Sequence, residues 1–340
     1  MGYALPGESI DTASLLTSVE ERFGVKVQRL GRIVAGKLGV RSRYFCRDLQ
    51  QRHESPRSGD TNAALAARAI EAALRDADVD VGELSYLIGH TSSPGQALPP
   101  NTAEVAERLG YAGPYMELRQ ACTGFANALV TARGVLSNPS CGPVAIVGSE
   151  TGSVFFDPVR AAQDHGQLVN LLQMGDGAAA CVLTVASDVG LGTLSHLYFG
   201  QEAAGRSPGF ALSAGGSDRP TANTMSPEYS HDFAAVLAGG PRLFELGVAA
   251  ALSMGVEADQ VDYIIPHQVN GRIAEQLAPY LQLKRAQIFV NADRCGNTGS
   301  AAIWLALAQL RHKLRSGNRV LVLGAEATAY MYGGFLYVHR

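Results

Sequence analysis

Long apolar runs are missing from this chain. No stretch of eighteen consecutive apolar residues occurs, so no membrane span is expected. The opening Met-Gly-Tyr-Ala-Leu-Pro-Gly has neither a basic start nor an apolar core, so no secretory signal is read and a cytoplasmic location is expected. An excess of one charge is lacking too: 28 Lys and Arg face 31 Asp and Glu, and the net charge of −3 argues against nucleic acid as the main partner. Cysteine is sparse. Cys46, Cys122, Cys141, Cys181 and Cys295 are odd in number, widely spaced and without a C-x-x-C pair, which suits reduced thiols better than a disulfide framework or a zinc site. Tryptophan occurs once, at Trp304.

What is present is a globular composition, 46% apolar over 340 residues, enough for two domains or one large duplicated one. Residues 12–45 are polar and partly helical, and Arg22, Lys26, Arg29, Arg32, Lys37, Arg41, Arg43 and, just beyond, Arg47 outnumber nearby acids. They form either a solvated helical face or a landing site for a phosphate-bearing or acidic partner. Residues 61–78 read as an Ala-rich amphipathic helix capped by Asp60 or Thr61, and the stretch from Leu84 as a strand ending at Gly89-His90. Val144-Ala-Ile-Val-Gly and Ala178-Ala-Ala-Cys-Val-Leu are near-continuous apolar strands, the pattern of a sheet covered on both faces by helices. The expected class is therefore α/β. Between Gly200 and Asp232 the composition shifts to Gly, Ser, Pro and Thr, which predicts a loop or lid.

The chain also repeats itself. Leu84-Ser-Tyr-Leu-Ile-Gly-His90 matches Val261-Asp-Tyr-Ile-Ile-Pro-His267 at an offset of 177, and Gly148 matches Gly324 at 176, which carries Cys122 onto Thr298. Two halves, 1–185 and 186–340, are expected to pack about a pseudo-two-fold axis. That geometry brings strand ends and helix starts of both halves near one centre, so Cys122, His267 and Asn297 are expected to share a pocket.

Each of these residues has a plainer reading. Cys122 is predicted at the start of an Ala- and Leu-rich helix, where a thiolate is favoured and its pKa lowered; a buried structural cysteine is the alternative. His267 is otherwise a strand-end histidine satisfied by backbone, and Asn297 a helix cap. Glu150 and Glu326, which follow the two matched glycines, read as structural hydrogen-bonders or as pocket lining.

The motifs resemble those of the ketoacyl-acyl-carrier-protein synthase III-like condensing enzymes. They are Gln120-Ala-Cys122-Thr-Gly-Phe, Met174-Gly-Asp-Gly-Ala-Ala, Ile265-Pro-His267-Gln-Val-Asn270, Asn291-Ala-Asp-Arg-Cys-Gly-Asn297-Thr and the early Gly39-Val-Arg-Ser-Arg. They cover almost the whole chain in the family's order. The resemblance implies a thiolase-like duplicated α/β/α/β/α layered fold and an acyl group held on Cys122. It further implies that His267 and Asn297 stabilise the enolate formed from a malonyl-type or β-keto thioester. It implies no metal, no permanently bound cofactor, and acyl thioesters on phosphopantetheine as substrates. An acyl carrier protein partner and a homodimer are also implied, the dimer packing through residues 91–111 with Leu98-Pro-Pro-Asn.

Three departures from the family matter. The Trp that many relatives place near the Gly39 segment to stack on coenzyme A adenine is absent, which favours a carrier-protein donor. The final loop reads Gly324-Ala-Glu-Ala-Thr-Ala-Tyr rather than glycine-rich, leaving the second oxyanion donor among Ala327, Thr328 and their neighbours. The chain begins near the end of the family's first strand, so that strand is expected to be short or missing. Together the first two point to a pathway-specific member, in polyketide or other secondary metabolism. Two competing activities stand beside condensation: acyl transfer to a hydroxyl or amine, and a non-catalytic partner subunit. The pocket walls are expected from residues 152–170 and 200–235, and the acyl group is not legible.

Overall fold

The structure, a computed structural model, describes all residues except 49–55, 58, 186–189, 203–204, 213–228 and 282–286. The chain opens with β1 (Gly2–Ala4), β2 (Ile10–Asp11), α1 (Thr12–Phe23), α2 (Gln28–Leu38) and β3 (Ser42–Arg43). Next come α3 (Asn62–Ala77), β4 (Tyr86–His90), α4 (Asn101–Leu109), β5 (Tyr115–Leu118), α5 (Gly124–Leu136) and β6 (Val144–Glu150). Then follow α6 (Pro158–Ala161), α7 (His165–Gln173), β7 (Gly177–Leu183), β8 (Gly192–Gln201), β9 (Phe210–Leu212) and β10 (Tyr229–His231). The chain closes with α8 (Phe233–Ser253), β11 (Tyr263–Pro266), α9 (Ile273–Leu281), α10 (Ala292–Cys295), α11 (Ala302–Arg311), β12 (Arg319–Glu326) and β13 (Met331–His339).

Local chemistry explains the boundaries that matter. Of the two candidate caps for α3, Thr61 does the work: its hydroxyl accepts from the Ala64 N–H at 3.3 Å, while Asp60 is engaged by Arg68 at 2.8 Å. The strand read from Leu84 begins at Tyr86. The first strand is not missing: β1 has three residues and pairs antiparallel with β7, Gly2 opposite Ala180. The segment 200–232 is only partly loop, because β9 and β10 pair within it and bury Tyr229; residues 203–204 and 213–228 of the expected lid lie outside the described residues.

Two sheets repeat one plan. The first has the order β1-β7-β6-β4-β5, the second β8-β13-β12-β11, and in each the second and third strands are antiparallel and the third and fourth parallel. A bridge from Ile264 to Ile288 stands where β5 pairs in the first sheet. All strands of the first sheet end by Leu183 and those of the second begin at Gly192.

Between the sheets lie α5 and α11, which supply a shared core. Phe125 of α5 meets Trp304 of α11 edge-on at 5.9 Å, and Trp304 stacks on Phe335 of β13 at 5.8 Å. Ile88 and Ile146 close this layer from the first sheet, Ile265 and Val322 from the second. Outside, α3 and α4 cover the first sheet with Ile70, Leu74 and Val105, and α8 and α9 cover the second with Leu243, Phe244 and Leu277. The result is the α/β/α/β/α layering that the resemblance implies. Among the described residues one helix, α8, is long and apolar enough by composition to cross a membrane; it carries Pro241, Arg242 and Glu245 near its middle and packs Leu243 and Phe244 into the core.

Candidate active site

Cys122 sits in the turn between β5 and α5, half-buried, two residues before the first helical residue Gly124, with Thr123 in the N-cap position. The turn is closed by the Gly124 N–H donating to the Ala121 carbonyl at 3.0 Å. The buried ring of His90 packs beneath it, so close that a Cβ on Gly124 would lie 2.6 Å from Nδ1. Here the sequence reading needs correction. The Cys122 thiol is pushed up, not down, by burial first and then by the nearby Glu326 and Glu150 carboxylates. The helix start that should favour a thiolate is already occupied: Glu326 accepts from the Thr123 N–H at 2.8 Å and from its hydroxyl at 2.7 Å.

Asn297 follows α10 and is held from both sides by the Met174 turn. Its N–H donates to the Gln173 carbonyl at 2.8 Å, and its own carbonyl accepts from the Gly175 N–H at 3.0 Å. Gly175 is required there, since a Cβ would lie 2.0 Å from the Cys295 carbonyl oxygen. Asp176 anchors the same turn by accepting from the Cys46 N–H at 2.8 Å and the Ser153 hydroxyl at 2.5 Å; burial pushes its carboxyl up to about 6. The Asn297 side chain is oriented by one bond: Oδ1 accepts from the Gly299 N–H at 3.0 Å. That leaves Nδ2, a donor, as the face without a protein partner among the described residues.

His267 directly follows β11, 3% exposed, its N–H donating to the Leu323 carbonyl of β12 at 2.7 Å. Burial lowers its pKa to about 4, so the ring is neutral near pH 7. Nδ1 is buried without an acceptor among the described residues. A buried orphan N–H is the rarer defect, so the ring proton belongs on Nε2, which makes Nε2–H the available donor.

Two further features bring the segments that carry Cys122 and Asn297 together. The Ser300 hydroxyl, three residues past Asn297, approaches the Gln120 carbonyl, two before Cys122, at 3.4 Å. The two halves also exchange carboxylates: Glu150, ending β6, accepts from the Ser300 hydroxyl at 2.5 Å, as Glu326, ending β12, accepts from Thr123. Sequence matching paired these acids without showing that each serves the other half. It also passed over Gln268, which is fully buried, donates to the Pro266 and Phe289 carbonyls and accepts from the Asn291 N–H, so tying the His267 loop to the segment leading to Asn297. Its place directly after His267 was the only signal. In the final loop, the N–H groups of Ala327 and Thr328 have no backbone acceptor among the described residues.

A layered, duplicated α/β fold with a cysteine turn, a neutral histidine and an oriented asparagine at the junction of its halves defines a condensing enzyme of the thiolase fold. The family model described as 3-oxoacyl-[acyl-carrier-protein (ACP)] synthase III matches residues 116–198, and its C-terminal model matches 252–337. A beta-ketoacyl-[acyl-carrier-protein] synthase III 3 from Streptomyces coelicolor is 31% identical over 85% of this chain and 83% of its own. A synthase III from Mesorhizobium japonicum is 30% identical over 99% and 95%. Among solved structures, AbyA1, a tetronic acid condensing enzyme, superposes with TM-score 0.83 at 27% identity over 99% of this chain and 98% of that one. The synthase III of Pseudomonas aeruginosa PAO1 shares the fold, with TM-score 0.80 at 24% identity over 99% and 96%. The chain belongs to the 3-oxoacyl-acyl-carrier-protein synthase III family, acyltransferases that join acyl groups by Claisen-type condensation.

Proposed function

We propose that Cys122, His267 and Asn297 perform this condensation, with Cys122 as the acyl carrier. The Cys122 sulfur attacks an acyl thioester carbonyl; the new S–C bond forms as the donor C–S bond breaks, and the donor thiol leaves with the proton. A malonyl-type thioester then loses carbon dioxide, and negative charge grows on its carbonyl oxygen. His267 Nε2–H and Asn297 Nδ2–H stabilise that charge, and the enolate carbon attacks the acyl-Cys122 carbonyl; the new C–C bond forms as the C–S bond to Cys122 breaks, and the departing cysteine thiolate takes a proton from solvent. The observation that carries the reading is the Gly299 N–H bond to Asn297 Oδ1, which presents a donor rather than an acceptor to the site.

We take the donor to be carrier-bound. Trp304, the only tryptophan, is fully buried in the core and unavailable to stack on a nucleotide. In its stead α2 presents Ile33, 54% exposed, beside exposed Arg29, Arg32 and Lys37. This helix joins the His267 loop: the Gly271 N–H donates to the Leu38 carbonyl at 2.9 Å, and Arg272 Nη2 to Gly36 at 3.0 Å. A basic, partly apolar face suits an acidic carrier protein. The absent stacking residue and the likeness to a tetronic acid condensing enzyme support a pathway-specific role in secondary metabolism. Intact-protein mass spectrometry with matched acyl-carrier and acyl-coenzyme A donors tests the reading. Acyl mass is expected on Cys122, faster from the carrier; no added mass from any donor overturns the catalytic role, and faster loading from coenzyme A overturns the donor assignment.

A further inference from the structure

The final loop carries an acid where the resemblance leads one to expect glycine, and its side chain has a definite place. Glu326 is 2% exposed, and it accepts from the Thr123 N–H and hydroxyl and from the Thr328 hydroxyl. Thr123 is itself held by Gln120, whose Nε2 donates to the Thr123 hydroxyl at 2.9 Å and whose Oε1 accepts from Asn127 at 2.6 Å. A chain of bonds thus runs from inside α5, through the residues flanking Cys122, to one carboxylate of the other half. Thr123 N–H is one of the donors that an anion at this helix start would use.

We propose that Glu326 is a positioning residue for the nucleophile: its carboxylate takes the donor at the α5 start, fixes the Cys122 turn, and opposes a second negative charge on Cys122. The inference rests on the reading of Cys122 as nucleophile, but it concerns the resting protein. Other groups facing the turn act in the same sense or are silent. Glu150 at the end of β6 is a second buried acid, and burial raises its pKa. His90 at the end of β4 and His267 after β11 are both kept neutral by burial, at about 3 and about 4. No cation among them compensates the acids.

The test is the pH profile of iodoacetamide alkylation at Cys122, followed by peptide mass with half-buried Cys141 as internal reference. In the unaltered protein the midpoint is expected above the ordinary thiol range of about 8.5. Glu326→Gln is expected to lower it by at least about one unit, which is roughly tenfold faster alkylation near neutral pH; Glu326→Asp, retaining the charge, should restore most of the shift. An unmoved or raised midpoint in a folded Glu326→Gln protein shows that the acid is merely structural and overturns the proposal. A midpoint below the ordinary range in the unaltered protein overturns it without any variant. Alkylation needs no turnover, so a protein that alkylates as expected yet never takes up acyl mass refutes the catalytic reading and not this one.

Discussion

His267 and Asn297 reach the same chemical end by different means. Asn297 is oriented by a bond to one atom of its amide, and His267 by burial, which keeps the ring neutral and leaves a single donor. The histidine assignment has a pH signature. Its folded-state pKa, about 4, lies below the ordinary value of 6.5, so as the pH falls the unfolded chain binds the proton first. Its contribution to stability is complete above about pH 6.5 and is lost as the pH falls toward about 4. Melting of His267→Asn should therefore show a smaller loss of Tm between neutral and mildly acidic pH than the unaltered protein; an equal loss would mean that His267 is not desolvated. The places of these two residues in the fold were legible in the sequence because a strand end and a helix start recur at a fixed offset. The state of Cys122 was not. Its local context predicted a favoured thiolate, and only the fold brings Glu326, 203 residues away, onto Thr123.

At the level of elements, the site depends on two helices that are buried between sheets. α11 exposes no apolar face to water; Ile303, Trp304, Leu305 and Leu307 are all at or below 1% exposure. A helix apolar all round belongs to a core, and this explains why Trp304 is unavailable for binding. Trp304→Ala is expected to cost about 3–5 kcal/mol in denaturant unfolding. Trp304→Phe should cost much less, because Nε1 is buried without a partner among the described residues and no hydrogen bond is given up. Similar costs for both would show that the indole N–H is satisfied. The sequence revealed these helices by composition and the strands by apolar runs. It did not reveal that Gly200–Asp232 contains a strand pair, since β9 and β10 are three residues each and leave no periodic trace.

For the whole molecule, duplication is the feature from which the site follows: each half builds a strand-turn-helix unit, and each lends the other a carboxylate. The duplication of the two halves was predictable from the matched segments in the sequence, whereas the crossed bonds were not, because pseudo-symmetric matching pairs like with like and says nothing of contact. We propose a homodimer formed through residues 91–111, where Leu98 stands 81% exposed within the exposed run 95–99. Gel filtration should give twice the chain mass of 35.8 kDa; the mass of one chain would contradict this.

The central claim is that donors from the second half stabilise an enolate beside a cysteine of the first. Asn297→Asp tests it most directly, since an aspartate can still accept from the Gly299 N–H but no longer donates as an amide. With a malonyl thioester as substrate, carbon dioxide release should fall by about 10²–10³-fold, while acyl mass still appears on Cys122. Carbon dioxide release at the unaltered rate in a folded, acyl-loaded Asn297→Asp protein would contradict the account.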